Sequence, residues 1–239
     1  RIENDRFALC MPKEKFNEKA IISRLNEFQK QFDNNAFKMH VFIGVYDIEN
    51  LDEPVSIMCD KANIAGDTIK NDYHSYIAYY NNGMLENSIE ERRIIGEFER
   101  ALNNEEFVMY LQPQVDFKGI ARGAEALVRW RHPVKGLLSP AVFVDVLEKA
   151  GLIYKIDKYM WEKAAAKLKE WKELGKEQYH ISVNISTKDF YLVDVYETFV
   201  DIVERNGINP EKLKLEITET TIMAVSYTHL RAHETGRNL

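Results

Sequence analysis

The second half of the chain alternates between short apolar runs and longer stretches in which apolar residues recur at helical spacing. Strands are predicted over 107–116, 123–133, 180–186 and 212–219, and helices over 141–150, 155–174 and 189–206. Strands separated by helices of this length must pair in parallel, because a tight hairpin could not contain the helix. No glycine-rich nucleotide loop follows a strand, which weakens the case for a dinucleotide-binding fold. The pattern therefore predicts an α/β fold, and half of a (βα)8 TIM-type barrel is favoured over a doubly wound sheet.

The first 85 residues show the same two patterns in a smaller unit. Strands are predicted over 7–11, 37–48 and 74–80, and amphipathic helices over 14–32 and 53–70. This β-α-β-α-β order is typical of a layered or ferredoxin-like α/β unit. A turn is predicted at 81–83, followed by a helix from Ser88, its predicted N-cap, to Asn103. The chain therefore divides into a first domain at 1–85, a linker helix at 86–106 and a second domain at 107–224.

The strand at 123–133 carries an acid and a base on one face. Side chains alternate along a strand, so Glu125, Leu127 and Arg129 share a face, while the other face is apolar. The apolar face is formed by Ala124, Ala126, Val128 and Trp130. One interpretation is an exposed ion pair on an edge strand. The other is a metal ligand beside an anion-holding arginine at the mouth of an α/β active site.

Three strands place an oxygen-bearing side chain toward their carboxyl ends, namely Glu125, Asn184 and Glu216. In a barrel these strand ends converge on the active-site face. Two carboxylates and an amide, without histidine or cysteine, are hard ligands that suit Mg²⁺ or Mn²⁺ better than Zn²⁺. Each residue alone has an ordinary alternative, since Asn184 could be a hydrogen-bonding core residue and Glu216 a surface acid. The shared position on three strands favours a metal site.

Composition limits which binding partners and which cellular compartment are expected. The formal charge is -6 over 239 residues, which argues against a general nucleic-acid binder. Two cysteines, Cys10 and Cys59, predict a reduced cytosolic protein rather than a disulfide scaffold. No apolar run is long enough to span a bilayer, and no signal peptide is evident. We therefore expect a cytoplasmic protein, with a membrane anchor or sensor region upstream in the parent protein left open.

Four segments together resemble EAL domains, the cyclic di-GMP phosphodiesterases. These segments are Gln112-Pro113 with Val115-Asp116, then 125–133 (EALVRWRHP), 183–186 (VNIS) and 215–220 (LEITET). They follow one another in the family's order and spacing, from about Glu97 to Met223. The resemblance implies hydrolysis of cyclic di-GMP to linear pGpG with two Mg²⁺ or Mn²⁺ ions, and a homodimer formed through this domain in the parent protein. The alternative is a catalytically degenerate EAL domain that acts as a cyclic di-GMP receptor or regulatory scaffold.

The resemblance also assigns roles to single residues. Glu125, Asn184 and Glu216 match metal ligands, and Arg129 matches a contact to the substrate phosphate. Gln112 and Leu127 match substrate-contacting positions on neighbouring strands. Glu219 matches an acid that steadies the loop and ligand near the metals, and Glu125 and Glu219 are the two residues predicted to be catalytic. His132 is expected to belong to the turn rather than to a metal site.

The first domain resembles part of a GGDEF domain, the diguanylate cyclase family. The segment 1–8 (RIENDRFA) looks like its signature hairpin, and 42–46 and 60–65 lie where the family has similar segments. Glu3 and Asn4 stand at the positions of the family's paired glycines, which let the backbone approach GTP. Asp5 keeps an acid, but Arg6 follows it. The resemblance thus implies a degenerate GGDEF domain without cyclase activity in a GGDEF–EAL tandem, with GTP binding left open.

The last residues depart from this resemblance. From about Ala224 onward the expected helix, Asp-Asp pair, lysine and glutamate of EAL domains do not follow, and 225–239 is predicted to be a non-native tail. Four strands of an eight-stranded barrel leave two open edges. We therefore expect a chain truncated at both ends, poorly stable and catalytically inactive as it stands.

Overall fold

The computed structural model describes residues 5–32, 41–70, 72 and 74–217, and the chain divides into two units, Arg1–Glu90 and Glu91–Leu239. The helices are α1 (Glu18–Phe32), α2 (Val55–Thr68), α3 (Asn82–Asn103), α4 (Pro140–Lys149), α5 (Ile153–Glu173), α6 (Asp189–Leu192) and α7 (Val195–Asn206). The strands are β1 (Ile43–Val45), β2 (Ile77–Tyr79), β3 (Phe107–Val115), β4 (Ala121–His132), β5 (Gly136–Leu138), β6 (His180–Ile185) and β7 (Leu213–Ile217). None of these helices is long and apolar enough to cross a membrane.

In the first unit, β1 and β2 pair in parallel and α2 connects them. Gly44 of β1 lies directly against this helix. A Cβ atom at position 44 would come within 1.8 Å of the Ala62 carbonyl oxygen, so only glycine allows the helix to pack this closely. The described residues of this unit thus form a β-α-β crossover, and they do not show the wider ferredoxin-like sheet predicted for 1–85.

Two predictions at the edges of this unit are wrong. The run 7–11 was predicted as a buried strand, but it forms no strand, and Phe7 and Leu9 are 71% and 84% exposed. Helix α3 begins at Asn82, inside the predicted turn, because Asn81 caps it by accepting the backbone N–H of Met84. Ser88, the predicted N-cap, therefore lies inside the helix.

The sheet of the second unit has the order β3-β4-β6-β7, with β5 paired to β4. Strands β4, β6 and β7 are parallel, which confirms the pairing predicted from the intervening helices. Strand β3 is antiparallel to β4, because the short turn after Val115 leaves no room for a crossover. Asp116 closes this turn by accepting the N–H groups of Lys118 and Ile120. The mixed α/β sheet is consistent with a TIM-barrel-like fold.

Helices cover the apolar face of this sheet in two clusters. Trp161 of α5 and Phe199 of α7 pack together, with ring centroids 4.6 Å apart, against β6. Trp130 of β4 packs on Phe107 and Phe143 in the second cluster. The helix predicted over 189–206 is in fact two helices, α6 and α7, because Asp194 starts a new helix by capping the N–H of Glu197. The core therefore lies on one side of the sheet, and the polar face of β4 lies on the other.

His132 fixes the turn between β4 and β5, as predicted for it. Its Nδ1 atom accepts the backbone N–H groups of Val134 and Lys135, both at 3.1 Å. The proton must then reside on Nε2, which lies 2.7 Å from the carboxylate of Glu97. The ring is buried, so all of its polar atoms are satisfied inside the protein.

Replacing His132 with alanine should lower the free energy of unfolding by about 2–3 kcal/mol, because two backbone donors and a carboxylate lose their partner. Urea denaturation followed by tryptophan fluorescence measures this, since all three tryptophans lie in the second unit. Replacing the exposed neighbour Arg131 with alanine is the control and should change stability by less than about 0.5 kcal/mol. Equal losses for the two variants would contradict the role given to His132.

Candidate active site

Strand β4 lies inside the sheet, between β3 and β6, and its two faces are as predicted. Ala124, Ala126 and Trp130 are buried against the helices. Glu125 and Arg129 lie on the opposite face but turn to different partners. The guanidinium of Arg129 donates to the carbonyl oxygen of Val128 and lies 5.8 Å from the centre of the Tyr110 ring. The interpretation of these two residues as an ion pair on an edge strand is therefore wrong.

The three candidate metal ligands lie on neighbouring strands of this face. The amide nitrogen of Asn184 on β6 donates to Oε1 of Glu125 at 2.9 Å. Glu216 on β7 is the direct register partner of Asn184, so the two side chains leave the sheet on the same side. The parallel order of the strands thus brings together residues that lie far apart in the sequence.

Gln114 links this site to β3, and sequence reasoning missed it. Its amide nitrogen donates to Oε1 of Glu216 at 3.0 Å. Its carbonyl oxygen accepts from Nε2 of His180 at 2.9 Å and from the hydroxyl of Ser182 at 3.2 Å. The available signal was the alternation of β3, which places Gln114 on the same face as the predicted substrate residue Gln112. Without the antiparallel register of β3, that signal could not be connected to Glu216.

His180 is held in its neutral form beside this glutamine. Burial lowers the pKa of His180 first, and the positive charges of Lys214 and Lys212 lower it further. Because Gln114 offers His180 a carbonyl oxygen, Nε2 carries the ring proton. The ring therefore serves as a hydrogen-bond donor that orients Gln114.

Gly123 allows β4 and β6 to approach each other at this point. A Cβ atom at position 123 would lie 2.5 Å from the ring and from the backbone oxygen of His180. These contacts are shorter than any side chain tolerates, so glycine is required for this pairing. The close approach leads directly into the segment of β4 that carries Glu125.

The donor set fits a divalent cation. Glu125 and Glu216 each use Oε1 in the hydrogen bonds described above, which leaves Oε2 of each free of protein donors within the described ranges. Asn184 donates through its nitrogen, so its carbonyl oxygen remains available. Within residues 5–32, 41–70 and 74–217, no three His, Cys, Asp or Glu residues converge on one point. The amide of Asn184 is therefore needed as the third ligand, and the oxygen-only set suits Mg²⁺ or Mn²⁺.

The remaining predicted site residues surround this set. Gln112 is the register partner of Glu125 on β3, and its side chain is exposed. Leu127 is half-buried and follows Glu125 on the same face of β4. Glu219 lies outside the described residues. The face therefore presents Glu125 with Gln112, Leu127 and Arg129 arranged around it.

A separate groove of about 540 Å³ lies at the amino ends of β6 and β7, away from this site. It is lined by Trp171, Lys172, Tyr179 and Lys212 among others. Lys172 donates to the carbonyl oxygen of Gly207, which ends α7. Lysines here complement the negative ends of α5 and α7, so we assign them a structural role.

Residues 95–236 match the EAL domain family. The chain belongs to the EAL domain family. The match contains every predicted site residue of the second domain, including Glu219. It begins inside α3 and extends over 225–236, most of the segment predicted as a non-native tail.

Curated relatives of this EAL domain protein carry phosphodiesterase names. The bifunctional diguanylate cyclase/cyclic di-GMP phosphodiesterase MucR of Pseudomonas aeruginosa is 31% identical over 146 residues, 61% of this chain and 21% of MucR. The cyclic di-GMP phosphodiesterase NbdA of the same organism is 25% identical over 228 residues, 93% of this chain and 29% of NbdA. The chain thus spans less than a third of the length of these relatives.

Solved structures show the same fold. The P. aeruginosa MucR phosphodiesterase in complex with c-di-GMP is 32% identical, with a TM-score of 0.53 over 55% of this chain and 53% of that one. The EAL domain of Xanthomonas citri FimX, also in complex with c-di-GMP, has a TM-score of 0.52 over 60% of this chain and 54% of that one. Its identity is 23%, so it supports the fold alone.

Proposed function

We propose that this chain is part of a cyclic di-GMP phosphodiesterase and that the polar face of β4, β6 and β7 is its active site. The observation that carries the proposal is the 2.9 Å contact between Asn184 and Glu125, with Glu216 on the adjoining strand. Relatives named as cyclic di-GMP phosphodiesterases and a related phosphodiesterase in complex with c-di-GMP support the choice of substrate. The product would be linear pGpG.

In this proposal the protein holds the reactants and the cations supply the chemistry. Glu125, Asn184 and Glu216 hold divalent cations, which when bound lower the pKa of a water molecule and neutralise phosphate charge. Arg129 presents a planar fork of donors to a phosphate of the substrate. Gln112 and Leu127 contact the rest of the cyclic dinucleotide. Gln114, oriented by His180, fixes the carboxylate of Glu216.

A two-metal reaction needs more ligands than these three. Glu125, Asn184 and Glu216 offer two carboxylates and one amide, a set that suits a single cation. Glu219 is proposed to steady the loop beyond β7. Hydrolysis is therefore assigned to the parent protein, and this chain alone is expected to produce no pGpG.

The second candidate function is a cyclic di-GMP receptor. The small number of carboxylates at the described face favours it, because a receptor needs contacts to phosphate and base but no metal ligands. The first unit is proposed to be a degenerate GGDEF domain in tandem with the EAL domain, in a cytoplasmic protein that dimerises through its EAL domain. GTP binding by that unit belongs to the same proposal. Within the segment that resembles the signature hairpin, Arg6 pairs with Asp67 at 3.0 Å.

Binding of cyclic di-GMP to the 239-residue chain, with Mg²⁺ or with EDTA, separates the two candidates. Isothermal titration calorimetry measures affinity, and chromatography of the same samples detects pGpG. The enzyme proposal predicts binding that weakens when the cation is removed. Equal binding with and without Mg²⁺ would support the receptor, and absence of binding in both conditions would overturn both. Formation of pGpG would overturn the assignment of hydrolysis to the parent protein alone.

Replacing Arg129 with lysine should weaken binding of cyclic di-GMP by roughly 10- to 100-fold, because a point charge replaces a bidentate donor on a charged group. The same titration measures the effect. Arg122 to lysine is the matched control, since Arg122 lies near the start of β4, is exposed and pairs with Asp116 at 2.7 Å. Similar affinities for the two variants would contradict a phosphate contact at Arg129.

A further inference from the structure

Two carboxyl groups meet beside the segment that follows Asn184. Asp189, the first residue of α6, is fully buried, and the carboxyl group of Asp157 on α5 is its neighbour. Neither residue belongs to the candidate ligand set. Two carboxylates in contact inside a protein repel each other unless one of them carries a proton.

The hydrogen bonds of Asp189 leave one acceptor without a donor. Its Oδ2 atom accepts the backbone N–H of Ser186 at 2.7 Å and the Ser186 hydroxyl at 2.9 Å. Its Oδ1 atom is buried, and no group in the described part of the chain donates a hydrogen bond to it. A buried acceptor without a donor is costly, so an additional proton is expected at this point. A protonated Asp157 provides that donor.

The surroundings assign the proton to Asp157. Burial raises the pKa of Asp157 most, and the negative charge of Asp189, its hydrogen bond and the charge of Glu148 raise it further, to about 9. Burial also raises the pKa of Asp189, but the hydrogen bonds from Ser186 favour its charged form. The neighbouring cation, Lys188, donates to the backbone oxygen of Glu148 rather than to either carboxyl group. Asp157 is therefore neutral and Asp189 charged at pH 7.

Two side chains of α5, one helical turn apart, lie against the end of β6 and the segment that follows it. Trp161 follows Asp157 by four residues, so both project from the same face of the helix. The indole N–H of Trp161 donates to the backbone oxygen of Asn184 at 3.1 Å. The backbone of Asn184 and the segment from Ser186 to Asp189 are thus both attached to α5.

We propose that Asp157 and Asp189 share one proton at neutral pH, and that this proton positions the end of β6 so that Asn184 can bind a cation. Asp157 and Asp189 are positioning residues, because they contact neither the cation nor the substrate. The part concerning cation binding rests on the proposed function. The shared proton itself does not.

The direction of the pH dependence follows from the raised pKa of Asp157. Between the ordinary carboxyl value of about 4 and the folded value of about 9, the folded state keeps a proton that the unfolded state has released. Stability is therefore highest at the acid end of this window and falls as the pH rises. The folding equilibrium constant should fall by up to about tenfold per pH unit from this group.

Replacing Asp157 with asparagine should remove this dependence. The amide keeps a donor for Asp189 but cannot lose a proton, so D157N should match the wild type near pH 5 and be the more stable at pH 8. Urea denaturation at several pH values measures the difference. Asp145 to asparagine, at an exposed position on α4, is the control and should leave the slope unchanged. A wild-type slope that persists in D157N would overturn the shared proton.

A measurement on the unaltered chain does not depend on the folding of variants. The side-chain carboxyl carbons of Asp157 and Asp189 can be followed by ¹³C NMR as the pH is raised. We expect Asp157 to lose its proton above pH 7 and Asp189 to lose its proton at a lower pH than Asp157. Titration of both groups below about pH 5 would overturn the proposal.

The effect on Asn184 is tested by Mn²⁺ binding, followed by electron paramagnetic resonance. Replacing Asp157 with alanine removes the donor and should weaken binding several-fold, whereas D157N should bind within about twofold of the wild type. Equal affinities for the alanine variant and the wild type would overturn the positioning role. If the wild type binds no Mn²⁺, the proposed function fails, while the pH measurements still decide the shared proton.

Discussion

Replacing Glu125 with glutamine is expected to weaken Mn²⁺ binding by at least roughly 100-fold, because loss of even a residue that only orients a ligand costs about 10- to 100-fold. Glutamine keeps the shape of the side chain and an oxygen for the 2.9 Å hydrogen bond from Asn184. The fold should therefore remain intact while the negative charge at the cation is lost. Electron paramagnetic resonance of free Mn²⁺ measures the affinity.

The matched control is Glu173 to glutamine, which removes the same charge from an exposed position at the end of α5. It should leave Mn²⁺ affinity within about twofold, because exposed charges at a distance are screened by salt. Glu216 to glutamine should weaken binding as Glu125 to glutamine does. Unchanged affinity in both site variants would show that the cation, if bound, lies elsewhere.

Strand alternation alone predicted which face of β4 carries the site. The side-chain period of two is a local property, so Glu125, Leu127 and Arg129 could be separated from the buried residues without knowledge of the partners. The lengths of the intervening helices likewise predicted the parallel pairing of β4, β6 and β7, which is confirmed. These features depend on covalent geometry and on chain reach rather than on distant contacts.

The role of Gln114 could not be predicted in this way. Its hydrogen bonds reach His180, Ser182 and Glu216, which follow it by 66 to 102 positions in the chain. They depend on the antiparallel register between β3 and β4 and on the parallel order of β4, β6 and β7 in the sheet. The neighbouring carboxyl groups of Asp157 and Asp189 were missed for the same reason, since an acid on an amphipathic helix ordinarily faces solvent.

The errors in the predicted start of α3 and in the predicted strand at 7–11 have local causes. The predicted helix start at Ser88 was wrong because Asn81 offers an earlier cap, and Gly83 in the first turn was interpreted as a turn residue. The predicted strand at 7–11 was wrong because an apolar run forms a strand only when another strand pairs with it. Burial and pairing, rather than hydrophobicity alone, decide such short runs.

Replacing Gly123 with alanine should destabilise the second unit by about 1–3 kcal/mol or more, because the added Cβ meets a backbone oxygen that cannot move independently. The atom would lie 2.5 Å from the oxygen of His180, so β4 and β6 must separate. Separation of these strands also removes the contact between Glu125 and Asn184. We therefore expect this variant to lose stability and Mn²⁺ binding together, in contrast to the Glu125 variant.

Gly96 provides the matched comparison for the same chemical change. It lies within α3, and a Cβ atom built there meets nothing within 4 Å. Alanine at position 96 should therefore stabilise the protein by about 0.5–1 kcal/mol, since glycine is unfavourable inside a helix. Urea denaturation followed by tryptophan fluorescence should give opposite signs for the two substitutions. Destabilisation of similar size at both positions would show that the close approach of β4 and β6 at Gly123 is not what requires glycine there.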